Sequence, residues 1–370
     1  MQKLPNEIGN IIHLRYLGIR NSNFKELPSS MSKFDNLQTL DVRRTNVGNT
    51  VDEFWEIQAL RHVLADKMLL PKCSVPLNNL MTLNGVVPLE SWDEKICPLN
   101  YMIYLRSLSL SGISEVHTKA LSAFLRKLEF LVYLSLSGEI LPSNMFTESS
   151  MHRLQVLIVH GKLEGLNDLL SDRYVLPNLT TLHLHKSELS QLFVDKLAML
   201  PCLAEMELLD SSYTETTLFF PERGFQSLKK LKLKNLYTLE ALVIEQGAMP
   251  MLSILAMYGC DNLKILNGLN GLEHLQEVAV YNMQEIVDTI KLMGKKFFSK
   301  IKRLTTPTVI TGRGVVAGSW VRRAARKQFI AVASESHCSD MDGAGPVAGN
   351  ATDDIQVHYG AGAWIRSSSE

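Results

Sequence analysis

Leucines recur in this chain at a spacing that few folds can satisfy. From Leu14 the sequence reads LRYLGI and from Leu37 it reads LQTLDV. Each stretch follows L-x-x-L-x-L with an apolar residue at the last position. A small polar residue (Ser22, Thr45) and one more apolar residue (Phe24, Val47) come next, and the two copies start 23 residues apart (Leu14 to Leu37). Alternation of this kind is what a short strand with one buried face requires. A single copy has no second surface on which to bury its leucines, so the copies must stack on one another.

Further copies start at Leu60, Leu80, Leu105, Leu131, Leu154, Leu179, Leu203, Leu228, Leu252 and Leu275, which makes twelve starts separated by 20 to 26 residues. This period and pattern are the signature of a leucine-rich repeat. The expected fold class is therefore α/β, a curved solenoid with a parallel β-sheet on its concave face and mixed helices and turns on the convex face. Its expected extent is residues 1–310. The copies at Leu60 and Leu80 lose their third apolar position, and Pro71, Pro76, Pro88 and Trp92 crowd the same stretch, so an irregular bulge is expected at 65–100. Helical spacing marks three segments: His117–Leu128, Ser190–Leu200 and Met283–Phe298. A last short strand is expected at Thr308–Ile310. From 311 to 370 the leucine ladder stops and Gly, Ala and Ser dominate, which predicts a disordered tail. Within it, Val321–Ile330 (VRRAARKQFI) could form a short basic helix, and such charge runs ordinarily belong to a solvated face.

The 38 basic and 38 acidic residues balance, giving no overall attraction to nucleic acid or to an anionic membrane. No apolar run is long enough to span a bilayer, and the first residues lack the apolar core of a signal peptide. Five scattered cysteines suit a reducing compartment better than a disulfide framework. A cytoplasmic location is the expectation. No arrangement of nucleophile, base and orienting group recurs, and neither enzymatic activity nor a cofactor is expected.

The polar positions of each strand point outward because side chains alternate. The candidate protein-binding face is read from Arg43, Arg44, His183, His185, Glu205, Glu207, Lys230, Lys232, Lys234 and Tyr258. If the register holds, Glu205 lies beside Lys230 and Glu207 beside Lys232. Exposed pairs contribute only about 0–1 kcal/mol each, so a solvated ladder that aids solubility is the plain alternative to a junction that selects a charged partner. His183 and His185 share one side of a strand. His160 offers itself as a third metal ligand, one position out of register with Lys186, but no Cys or carboxylate stands clearly in place, and no metal is expected. Cys260 falls at the small-residue position of its turn and reads as core. Asn178-Leu179-Thr180 matches a glycosylation acceptor, but its middle residue starts a buried strand.

The segment LPNEIGNIIHLRYLGIRNSNFKELPSSMSKFDNLQTLDVRRT and the late copy from Leu252 to Leu263 resemble the leucine-rich repeat region of plant intracellular nucleotide-binding disease resistance proteins, in the form of the coiled-coil class from grasses. The resemblance runs over residues 1 to about 310. It implies recognition of a pathogen effector, or of a host protein that an effector has altered, and restraint of a nucleotide switch. That switch needs G-x-x-x-x-G-K-[ST], which this sequence lacks, and Met151-His152 continues to Arg153 where the family has Asp. The implied partners are therefore proteins, including a nucleotide-binding domain if one lies upstream, with no nucleic acid and no membrane span. The first residues already read as the tail of a repeat, so either a further segment upstream or a frayed end is expected. A general intracellular scaffold for signalling complexes is the alternative; the substrate-receptor arm of a ubiquitin ligase would need an F-box-like module ahead of the repeats.

Overall fold

The computed structural model describes residues 4–71, 75–92, 95, 97–146, 151–164 and 176–293, together with the backbones of 303–305, 355–359 and 363–367. One compact unit comprises Met1–Pro307 and Asp354–Glu370. A second, 308–353, lies outside the described residues, as do the expected Thr308–Ile310 strand and the basic segment Val321–Ile330.

The first strands are short: β1 (Leu14–Gly18) and β2 (Thr39–Asp41). The next five are long: β3 (His62–Leu70), β4 (Thr82–Pro88), β5 (Ser107–Ile113), β6 (Tyr133–Pro142) and β7 (Val156–Glu164). Five-residue strands follow at β8 (Thr181–His185) and β9 (Glu205–Leu209). After them the chain alternates between two sheets. β11 (Lys230–Lys234), β13 (Ile254–Tyr258), β15 (Glu277–Tyr281) and β16 (Arg303–Thr305) extend the main sheet. β10 (Thr217–Phe220), β12 (Ala241–Ile244) and β14 (Ile265–Asn267) form a separate three-stranded parallel sheet on the return segments.

Main-sheet neighbours from β1 to β16 are parallel, and their register aligns one apolar column across twelve strands. It runs from Leu17 through Leu40, Val63, Leu83, Leu108 and Leu134, then on through Leu157, Leu182, Met206, Leu231 and Leu255 to Val278. All twelve starting leucines are also buried, at 0–1% exposure. Full burial of one such side chain stabilises by about 1.5–3 kcal/mol, so the repeated leucines, rather than any single contact, hold the solenoid together.

Polar side chains tie each coil to the one before it. Asn36, Asn79, Asn178 and Asn262 each immediately precede a leucine that opens a buried segment. Their amides donate to the carbonyls of Ile12, Gln58, His152 and Tyr237 at 2.6–3.1 Å. Asn178 therefore has a structural task in the turn, and Leu179 beside it is fully buried. The small polar residue after the strand closes a carbonyl of its own turn, as when Ser22 Oγ donates to Ile19 and Thr45 Oγ1 to Val42. Seven residues after the starting leucine the chain turns left-handed, at Asn21, Arg44, Lys186, Asp210, Asn235, Gly259 and Asn282. In the middle repeats that position is Gly112, Gly138 or Gly161. A Cβ on Gly138 would stand 2.2 Å from the Ile113 carbonyl oxygen, and one on Gly161 would stand 2.1 Å from that of Gly138. The glycines allow these backbones to close up, and β5, β6 and β7 run on past the turn.

The return segments include helices α1 (Glu115–Leu125), α2 (Gln191–Leu197) and α3 (Gln284–Leu292); the last two fall within their stretches of helical spacing, and α1 starts two residues ahead of His117 and ends three short of Leu128. Elsewhere single 3-10 turns suffice, as at Asn6–Asn10, Ser29–Lys33 and Asp52–Glu56. In the stretch where a bulge was expected, β3 and β4 stay paired in the sheet. The irregularity is a shift of register between Leu64 and Met68, with Gly85 against the Ala65 carbonyl. The lost third apolar position is made good by Ala65, 5% exposed, and Val86, fully buried.

The expected disordered tail needs correction over two short spans. β17 (Ile355–Tyr359) and β18 (Ala363–Ser367) form an antiparallel hairpin, and β18 pairs with β1. The first strand of a parallel stack carries unpaired backbone groups on its outer edge, and an added antiparallel strand satisfies them. The rest of 311–370 lies outside the described residues.

A charged row on the exposed face of the sheet

The register brings β8, β9 and β11 side by side, and with them most of the residues expected to form the binding face. Glu205 faces Lys230 and Glu207 faces Lys232, with His183 across from Glu207 on the other side. Lys230 Nζ lies 3.5 Å from Glu205 Oε2, and Lys232 Nζ lies 3.2 Å from both Glu207 oxygens. The two pairs differ in depth. Lys230 is 47% exposed, whereas the Glu207 side chain is only 6% exposed and Lys232 18%. Outward positions next to one another on strands about 4.8 Å apart shade each other. For this reason His183 and Glu207 are buried, where the alternation pattern alone would leave them in solvent.

Beside this row stands a second polar group. His160 pairs with His185, one position from Lys186, as the repeat spacing gives. Their rings lie 4.0 Å apart. Each stands six residues after its starting leucine, Leu154 or Leu179, so the repeat count itself pairs them. His185 Nε2 contacts Asp210 Oδ2 at 2.6 Å, and Asn235 donates to the same carboxylate. Burial depresses the pKa of His160, His183 and His185. For His183 the charges of Glu207 and Glu205 oppose that shift, and Lys232 adds to it. At the far side Tyr258 and Tyr281 stack with ring centroids 4.5 Å apart, and burial pushes the Tyr258 hydroxyl up to about 12. Lys234, at the end of β11, lies between Leu209 and Tyr258 in the register.

Arg43 and Arg44 are not part of this row. They follow β2, six strands from β8 in the sheet order, a span of about 29 Å at ordinary strand spacing. Arg43 folds back onto Asp41, with Nε and Nη2 at 2.8 and 2.6 Å from its two oxygens. Arg44 occupies the left-handed turn position, where its main-chain N–H donates to Asp66. Cys260 is fully buried, and burial raises its thiol to about 11, as befits a core side chain.

The family model described as a leucine-rich repeat region matches residues 3–294. The chain belongs to the leucine-rich repeat family. Two relatives from Arabidopsis thaliana are similar over most of its length. "Probable disease resistance protein RF9" is 27% identical over 286 residues, covering 75% of this chain and 27% of the relative. "Probable disease resistance RPP8-like protein 4" is 27% identical over 290 residues, covering 76% of this chain and 32% of the relative. The chain thus spans about a third or less of the curated relatives it matches. Among solved structures, a leucine-rich repeat protein of Leptospira interrogans is similar at 19% identity and a TM-score of 0.47, covering 82% of this chain and 81% of that one. Among the described residues no helix of this leucine-rich repeat protein is long and apolar enough to cross a membrane.

Proposed function

We propose that this leucine-rich repeat chain is the protein-recognition part of a plant disease resistance protein. The observation that carries the reading is its similarity, over three quarters of its length, to proteins named for disease resistance. It senses a pathogen effector, or a host protein that an effector has modified, inside the cell. In a longer receptor of the coiled-coil class it also helps to hold a nucleotide-binding domain inactive. The recognition surface is the exposed face of the main sheet. Its row from His183 through Glu205 and Glu207 to Lys230, Lys232, Lys234 and Tyr258 meets the partner, with Arg43 and Arg44 forming a separate basic edge. A face that carries acid and base on neighbouring strands favours a partner with the complementary pattern, chiefly through association rate and specificity. A ligand can release the nucleotide-binding domain only by binding the docked and released states with different affinity. No step of this reading requires catalysis by the chain.

The test is capture of plant proteins by the immobilised chain, before and after infection, compared with a Lys230→Glu, Lys234→Glu double variant. Both lysines lie at the end of the row, and neither supports the leucine column. Loss of the captured partner in the variant, with an unchanged melting temperature, is the expected result. Unchanged capture would move recognition off this face.

A further inference from the structure

His183 is 4% exposed, and among the described residues no hydrogen-bond partner reaches its Nε2. That nitrogen faces the Glu205 carboxylate, 3.9 Å from Oε1. The Glu207 carboxylate completes a triangle in which one ligand atom from each residue lies within 4.8 Å of the others. Two of the three residues come from β9 and one from β8, so the triangle bridges adjacent repeats. Glu205 is the half-exposed member and opens the group to solvent.

We propose that His183, Glu205 and Glu207 form a binding site for a first-row divalent cation, with zinc as the ion to test. An imidazole nitrogen and two carboxylates are ligands that such ions accept, and a fourth position is left for water or for a group from a partner. Ligand atoms around a tetrahedral zinc stand about 3.3 Å apart. The observed separation of His183 from Glu205 must therefore close by roughly half an ångström, within reach of a glutamate rotamer change. Burial holds the pKa of His183 below its ordinary value, so the ring is neutral at neutral pH and keeps a lone pair for the metal. Lys232 is the competitor. Its ammonium contacts both Glu207 oxygens, and a metal ion entering the triangle drives it outward toward solvent. Metal loading would thereby free a basic group on the exposed face.

The experiment is zinc titration of the full chain after chelator treatment, by calorimetry at pH 7.5, with cobalt substitution to give a visible ligand-field band. One ion per chain is expected. His183→Gln should weaken binding by about tenfold or more, since even supporting partners of metal ligands contribute 10–100-fold. Lys232→Gln should strengthen it by about tenfold, because it removes a like charge at close range. Glu205→Gln, at a half-exposed position, repeats the loss if the His183 variant does not fold. Failure to bind zinc overturns the proposal, and so does binding unaltered by His183→Gln. Binding lost in His185→Gln but kept in His183→Gln would place the ion on the neighbouring His160–His185 pair and overturn it equally.

Discussion

Asp41 and Glu207 stand at the same place in two repeats, four residues after the starting leucines Leu37 and Leu203, and both are carboxylates buried on the outward face of the sheet at 2% and 5% exposure. Their surroundings differ. Asp41 is flanked in the sheet by Gly18 and Leu64 and is neutralised chiefly from its own segment, by the two-pronged grip of Arg43, with Arg20 of the preceding repeat 3.9 Å away. The residue two beyond Glu207 is Leu209, so its neutralising charge comes from the next coil as the single ammonium of Lys232, with His183 on the other flank. A guanidinium fork gives each carboxylate oxygen its own donor, at 2.8 and 2.6 Å, whereas the single ammonium straddles both oxygens at 3.2 Å. The first site is closed mainly by local sequence, through the short Arg43 bonds. The second depends on how repeats stack and can still be shared with another cation.

The largest effect that would sharpen this contrast is in stability. Arg43→Ala leaves Asp41 buried without its fork and should cost about 3–5 kcal/mol in urea unfolding. Lys232→Gln, measured in chelator, should cost less, about 1.5–3 kcal/mol, the usual worth of a hydrogen bond to a charged group. Equal losses would erase the distinction between the two sites. Next comes pH. His62, His160, His183 and His185 all have folded-state pKa values depressed by burial. They bind protons more readily in the unfolded chain, so their stabilisation is complete above about pH 6.5 and lost as pH falls below it. The melting temperature should therefore drop between pH 7 and pH 5, and less so in His183→Gln. A flat profile would mean that these rings are not buried as described. The smallest effect belongs to Lys230→Gln. Its pair with Glu205 is largely solvated, and about 0–1 kcal/mol is expected. A loss as large as that at Lys232 would show the whole row to be buried, as by a partner.

The pairing of Glu205 with Lys230 and Glu207 with Lys232 could be predicted from the sequence because the copies at Leu203 and Leu228 keep one count. The same counting sets His160 opposite His185, but it could not show the depth of His183 and Glu207. Burial of a polar outward position depends on what the neighbouring strands carry beside it, and a single repeat does not contain that information. The sequence weighed His183 as a ligand only beside other histidines and expected no metal, whereas the carboxylates beside it lie one repeat further on.

By itself, then, the sequence determined the solenoid. A leucine column repeated twelve times has only one economical way to leave water, by stacking each copy on the last. Tertiary structure decided how the outward side chains combine. Side-by-side strands set distances between residues some twenty-five positions apart, and those distances make Glu207 a shared site while Asp41 is a closed one. The same holds at the edge of the sheet, where β18 meets the open backbone of β1 from the far end of the chain, because unpaired peptide groups accept a strand from wherever the chain can supply it.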